Sequence, residues 1–129
     1  MLIAALLATA LLFGGTVLYS FGFAAFLFNT LPAEIAGTTI RRAFPYFYLF
    51  VIGTAVLAAV LLYRTDPLSG GLMLLIVATT LPTRQLLMPA INRATDAGAK
   101  AQFKILHRLS VGITLLHIGI AGFVLARFL

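Results

Sequence analysis

Four long apolar stretches, separated by short polar or charged segments, organise the chain. At the length a bilayer demands, about 20 residues per helix, they predict spans of about residues 2–30, 44–63, 72–91 and 103–125. The first stretch carries no charged side chain before Glu34. A secretory signal has a basic start and an apolar core of about 7–15 residues; this stretch is longer and lacks the basic flank, so it reads as a retained helix. Pro32 and Glu34 open a short segment that closes at Arg41 and Arg42. Residues 64–71, rich in Asp, Pro, Ser and Gly, read as a turn. Pro82 and Pro89 lie inside the third span and are expected to bend it, which bilayer helices tolerate when neighbours re-satisfy the freed carbonyls. A basic connection, residues 92–102, leads to the fourth span.

Composition agrees with the pattern. Of the 129 residues, 62% are hydrophobic and 9% charged, against about 25% charged in soluble domains, and the mean hydropathy is +1.11. A soluble fold of this size leaves too much surface exposed to hide that apolar content. The fold class is therefore an all-α membrane protein, a single four-helix transmembrane domain over residues 1–129 with short loops. Lipid is its principal partner. The net charge of +6 would suggest nucleic acid in a soluble protein, but here the cations flank apolar spans, so no nucleic-acid partner is expected. They set topology instead. Arg41, Arg42, Arg93, Lys100, Lys104 and Arg108 cluster by the first and third connections, against Arg64 and Arg127 at the other end. That asymmetry places the first and third connections in the cytoplasm and both termini on the periplasmic side. The absence of cysteine removes disulfides, thiolate metal sites and thiol nucleophiles.

Nine of the fifteen aromatics lie at the end of the first span (Phe21, Phe23, Phe26, Phe28) and the start of the second (Phe44, Tyr46, Phe47, Tyr48, Phe50). They are expected to form an interfacial belt in one leaflet. A weak echo between residues 31–44 and 88–103, the first running from Pro32 through Arg41-Arg42 to Phe44 and the second from Pro89 through Gly98 and Lys100 to Phe103, suggests two parallel hairpins or chance.

In hydrocarbon the informative side chains are polar. His107, Ser110, Thr114, His117 and Ala121 fall within a narrow arc of the fourth helix at 100° per residue, so this stripe is expected to face the bundle interior. It reads either as a site lined by two imidazoles or as interhelical hydrogen-bond glue. The two histidines are ten residues apart, about 15 Å along a helix, too far to share one metal ion. As metal candidates, His107 and His117 therefore act singly or across a homodimer, with haem or copper as the possible cofactor and Met73 and Met88 as soft ligands. Thr9, Thr16 and Ser20 form a second stripe, read as packing. Arg84, inside the third span, either snorkels to the headgroups or pairs with Glu34 or Asp96. Asp96 also stands four residues before Lys100, a helical ion-pair spacing. No acid lies near mid-membrane, and neither a nucleophile–base pair nor a phosphate loop is present. The chain is therefore expected not to be an enzyme.

Residues 31–48 (Leu-Pro-Ala-Glu-Ile-Ala-Gly, then Arg-Arg-Ala-Phe-Pro-Tyr-Phe-Tyr) resemble the stretch after the first helix in small bacterial proteins similar to transmembrane protein 205. Residues 88–92, Asp96 and residues 103–110 resemble that group's Pro-x-Ile-Asn, Asp and Phe-x-x-Leu-His-x-x-Ser block, although the spacer between Asn92 and Phe103 is short. The resemblance implies a four-span protein of the bacterial inner membrane and supplies no activity. It singles out Pro32, Gly37, Pro45, Asn92, Asp96, His107 and Ser110 as motif positions. A more distant likeness to copper-resistance membrane proteins rests on the basic-aromatic start of the second helix. The leading expectation is a non-enzymatic accessory or interaction subunit, as a homo-oligomer or beside other membrane subunits. The alternatives are a transport or efflux element, with His107 to His117 lining a path, and a haem- or copper-binding redox component.

Overall fold

The computed structural model describes residues 1–129. Its helices are α1 (Leu2–Thr30), α2 (Ala33–Leu62), α3 (Pro67–Asp96) and α4 (Lys100–Ala126), each long and apolar enough to cross a membrane. At 1.5 Å per residue they are roughly 40–45 Å long, more than the ~30 Å hydrocarbon layer, so their ends reach the headgroup layers. Each helix packs against its neighbours in sequence, and α1 closes the ring against α4.

The connections are shorter than the hydropathy pattern predicts, because three of the predicted loops are largely helical. Residues 33–42 continue α2 without a break through Arg41 and Arg42, so Pro45 sits inside the helix. The break falls at Leu31, which is extended (φ −111°, ψ 155°) because the Pro32 ring disfavours helical backbone before it. The helix α3 starts at Pro67 rather than at residue 72. Asp66 caps it by accepting from Ser69 N–H (3.3 Å), and Pro67 suits the first helical position. At its other end α3 runs to Asp96 and stops in a Schellman cap. There Gly98 takes φ +65°, Ala99 N–H reaches Ala94 O (3.0 Å) and Gly98 N–H reaches Thr95 O (3.2 Å). The helix thus ends between Asp96 and Lys100, and the predicted ion pair between them does not form. The echo between residues 31–44 and 88–103 has no structural counterpart either: Pro32 begins a helix, whereas Pro89 lies within one.

Two helices contain a π-helical turn, Leu18–Phe23 in α1 and Thr83–Leu87 in α3. In each, the next amide bonds five residues back: Ala24 N–H to Tyr19 O, and Met88 N–H to Thr83 O. Pro82 and Pro89 flank the second turn and withhold their own N–H groups, so the expected disturbance of this span takes the form of a widened turn. The first turn contains no proline.

The core fills the half of the bundle near the α2–α3 turn. Small residues let the backbones approach there, as membrane helices require: Ala55, Ala58 and Ala59 of α2 and Ser69, Gly70 and Met73 of α3 are all buried, and Gly70 lies against the backbone of Ala59 and Tyr63. Leu12, Val51, Met73, Ile76 and Val124 are its largest fully buried side chains. A Cβ on Gly70 would lie 3.3 Å from Tyr63 Cα and 3.4 Å from Ala59 O, both backbone atoms that cannot swing away. Gly70→Leu should therefore destabilise the bundle by about 1–3 kcal/mol, the usual cost of overpacking. Gly14→Leu, on an exposed face with nothing within 4 Å of the new Cβ, should change little. Thermal unfolding in detergent compares the two.

Candidate functional site

Past its π turn α1 leaves α4. Residues 2–17 pack against α4, whereas the main contacts of residues 24–30 are with α2. The separation opens a cleft of about 650 Å³ lined by all four helices. It runs from the end of the bundle that holds the first and third connections to about half its length. Both π turns lie at its inner end: Tyr19, Ser20 and Phe21 of the first line it, and the second delivers Met88, Ile91, Asn92 and Thr95. The volume falls within the ~300–1,000 Å³ of small-molecule sites, and a mainly apolar wall with a few convergent polar groups is their usual character.

Three members of the predicted polar stripe meet here. Ser110 is buried, Thr114 is half-buried and His107 is exposed at the cleft wall. His107 stacks on Phe103, with centroids 5.4 Å apart and 9° between the rings. The stripe as a whole does not face the interior, because α1 no longer covers α4 at the level of His107. His117 lies outside the cleft. It is buried in the packed half, with Nε2 2.6 Å from Thr79 Oγ1. The Thr79 hydroxyl, with one proton to give, lies 2.8 Å from Leu75 O; donating there lets it accept from His117 Nε2–H. That is the interhelical glue expected of such a stripe. No three His, Asp or Glu side chains converge. Of the candidate metal ligands, His107 and Met88 line the cleft, while Met73 is fully buried.

Of the two readings of Arg84, snorkelling or pairing with Glu34 or Asp96, the pairing is corrected. Its Nε donates to Pro45 O (3.2 Å) and its Nη1 to Gln85 Oε1 (2.9 Å), so neither Glu34 nor Asp96 is its partner. With α3 running from residue 67 to 96, Arg84 lies near the middle of its helix, within the π turn. Asp96 is held instead by Arg41 of α2 in a bidentate pair (2.8 and 2.9 Å), the strongest geometry for two such groups. Arg41 and Glu34 both line the cleft, and Glu34 is the one acid of the chain in no ion pair. Gly37, Asn92, His107 and Ser110, motif positions of the resemblance, also line it.

The aromatic belt is only partly as expected. Phe21, Phe26, Phe28 and Tyr46 are exposed. Tyr19, Phe23, Phe44, Phe47 and Tyr48 pack on one another instead, with the Tyr19 and Phe47 rings 4.0 Å apart and nearly parallel. This cluster joins α1 to α2 beside the cleft. The hydroxyl of Tyr19 has no hydrogen-bond partner in the protein, nor has that of Thr16 one turn earlier.

A second cluster, not anticipated from the sequence, closes the opposite end. Arg127, just past α4, binds both oxygens of Asp66 (2.9 Å each) and Ser69 Oγ (3.1 Å), and Ser69 Oγ donates to Asp66 Oδ2 (2.5 Å). The bonds from Arg127 and Ser69 hold the Asp66 carboxyl well below the usual aspartate range. The one available sequence signal was that Asp66 and Arg127 belong to the same end of the bundle.

Two measurements follow from these contacts. Because the folded pKa of Asp66 is depressed, its contribution is complete above the ordinary aspartate value of about 3.9 and fades as the pH falls below it. Asp66→Asn should lower the thermal midpoint at pH 7 and make its decline between pH 5 and pH 3 shallower than in the unaltered protein. A double-mutant cycle of Thr79→Val and His117→Leu should give a coupling of about 0.6 kcal/mol, typical of interhelical hydrogen bonds in lipid.

A family model described as a domain of unknown function, DUF4149, matches residues 7–100. The match covers α1 to α3 and stops at the first residue of α4, before His107 and Ser110. No curated protein and no solved structure matches the chain. With most of its length matched, the chain belongs to the DUF4149 family.

Proposed function

We propose that this chain is a non-enzymatic accessory protein of the bacterial inner membrane, working as a homo-oligomer or beside other membrane subunits, and that it acts by holding a membrane component in the cleft between α1 and α4. The cleft itself carries this reading. It is large enough for a ligand, reaches one end of the bundle and presents a few polar groups along a mainly apolar wall. Nothing in it pairs a nucleophile with a base, which supports a binding rather than a catalytic role. The excess of cations at the cleft end supports a cytoplasmic opening, with the termini outside. The resemblance of residues 31–48 and 88–110 to proteins similar to transmembrane protein 205 supports the inner-membrane setting.

Native mass spectrometry of the protein, released gently from its own membranes, tests the proposal. The expected result is a discrete added mass on the unaltered chain. Val111→Trp, which fills the cleft, should remove it, and Phe123→Trp, on the exposed face of α4, should retain it. No added mass, or equal added mass on both variants, would contradict the proposal.

A further inference from the structure

The end of the cleft that carries the first and third connections combines two chemistries, cations and an apolar slot, that a phospholipid matches. On α4, Lys104, Arg108, Val111 and Leu115 are spaced i, i+4, i+7 and i+11, one face of a helix. Val111 and Leu115 line the cleft wall, while Lys104 and Arg108, both exposed and outside the lining itself, continue the same helical line toward the end of the bundle. Arg41 and His107 add hydrogen-bond donors at the same end, where Phe28, Phe103 and Ile91 form the apolar wall beside them. Farther in, the lining is mainly hydrocarbon and aromatic up to Phe44 and Leu115. Two cations free of ion pairs thus flank the outer end of a mainly apolar slot that reaches about half the length of the bundle.

We propose that the cleft is a phospholipid site, with the phosphate on Lys104, Arg108 and His107 and one acyl chain lying in the slot between α1 and α4. This rests on the cleft being the working surface of the protein. The partner states of the acids support the assignment. Arg41 is already neutralised by Asp96, so the unpaired cations at the rim are those of α4. Glu34 on the α2 wall opposes an anion, which predicts the sign of its removal. Anionic lipids of a cytoplasmic leaflet meet polybasic surfaces of this kind with about the same gain for each Lys or Arg.

Calorimetric titration of the delipidated protein in detergent separates the possible ligands. Dioctanoyl phosphatidylglycerol should bind saturably, dioctanoylglycerol at least about tenfold more weakly, and inorganic phosphate not measurably. Lys104→Gln with Arg108→Gln, both at exposed positions, should weaken phosphatidylglycerol binding by about tenfold or more, the effect of two surface charges, and leave dioctanoylglycerol unchanged. Glu34→Gln should strengthen phosphatidylglycerol binding. Equal affinity for the two lipids would overturn headgroup recognition, and phosphate binding as tightly as the lipid would make this a site for soluble phosphates. An unchanged affinity in the double variant would remove the rim cations from the site. If phosphatidylglycerol fails to bind while Val111→Trp still removes an endogenous mass, the phospholipid assignment falls and the cleft remains a binding site. If Val111→Trp removes nothing, both fall.

Discussion

In hydrocarbon each backbone N–H and C=O must find its partner within the protein, and at two points this bundle changes its helical hydrogen bonding through a π turn rather than a loop. At Leu18–Phe23 and Thr83–Leu87 the hydrogen bonds lengthen to five residues. A π turn changes the direction of a helix while keeping its amides satisfied, which a loop at that depth could not do. The consequence is architectural. Before the turn α1 packs against α4; after it α1 follows α2, and space opens between α1 and α4. In α3 the turn sets the register of Met88, Ile91 and Asn92, which form the opposite wall. The cleft therefore follows from how two helices bend under a strict hydrogen-bonding constraint, and the packed half supplies the rigid base from which they bend.

The few charges divide between holding the ends and facing the lipid. Arg41–Asp96 ties α2 to the end of α3 beside the cleft, and Asp66–Arg127 ties the α2–α3 turn to the end of α4. Two of the three acids are used in this way, one at each end of the bundle. Most of the remaining cations are exposed at the cleft end. Arg84 is the exception. Near the middle of α3, it is satisfied by the Pro45 carbonyl and the Gln85 amide rather than by an anion.

The four spans were legible because hydrophobicity over twenty residues is an averaged signal that single polar residues do not erase. Their ends were not, for a specific reason. Arg41 and Arg42 read as the end of a connection, yet the helical spacing of Ala36, Ile40, Phe44 and Phe47 passes straight through them, and the helix runs unbroken from Ala33 to Leu62. Likewise Asp66-Pro67 reads as a turn but is a helix cap. The stripe on α4 was found from its period, and three of its members reach the site; His117 does not, because one period cannot tell a packed interface from a cleft when the neighbouring helix bends away. The π turn in α1 left no proline to mark it. The partners of Arg84, Asp96 and Arg127 depend on which helices are adjacent and at what height, which no single segment encodes.

The bending of α1 away from α4 is the claim on which the cleft and its proposed ligand both rest. A structure determined in nanodiscs of native lipid, with a bound antibody fragment to add mass, tests it most directly. The account predicts α1 in contact with α4 over residues 2–17 and apart from it beyond Phe23, with elongated density in the gap and its polar end near Lys104 and Arg108. Close packing of α1 on α4 along the full length of both helices would contradict it.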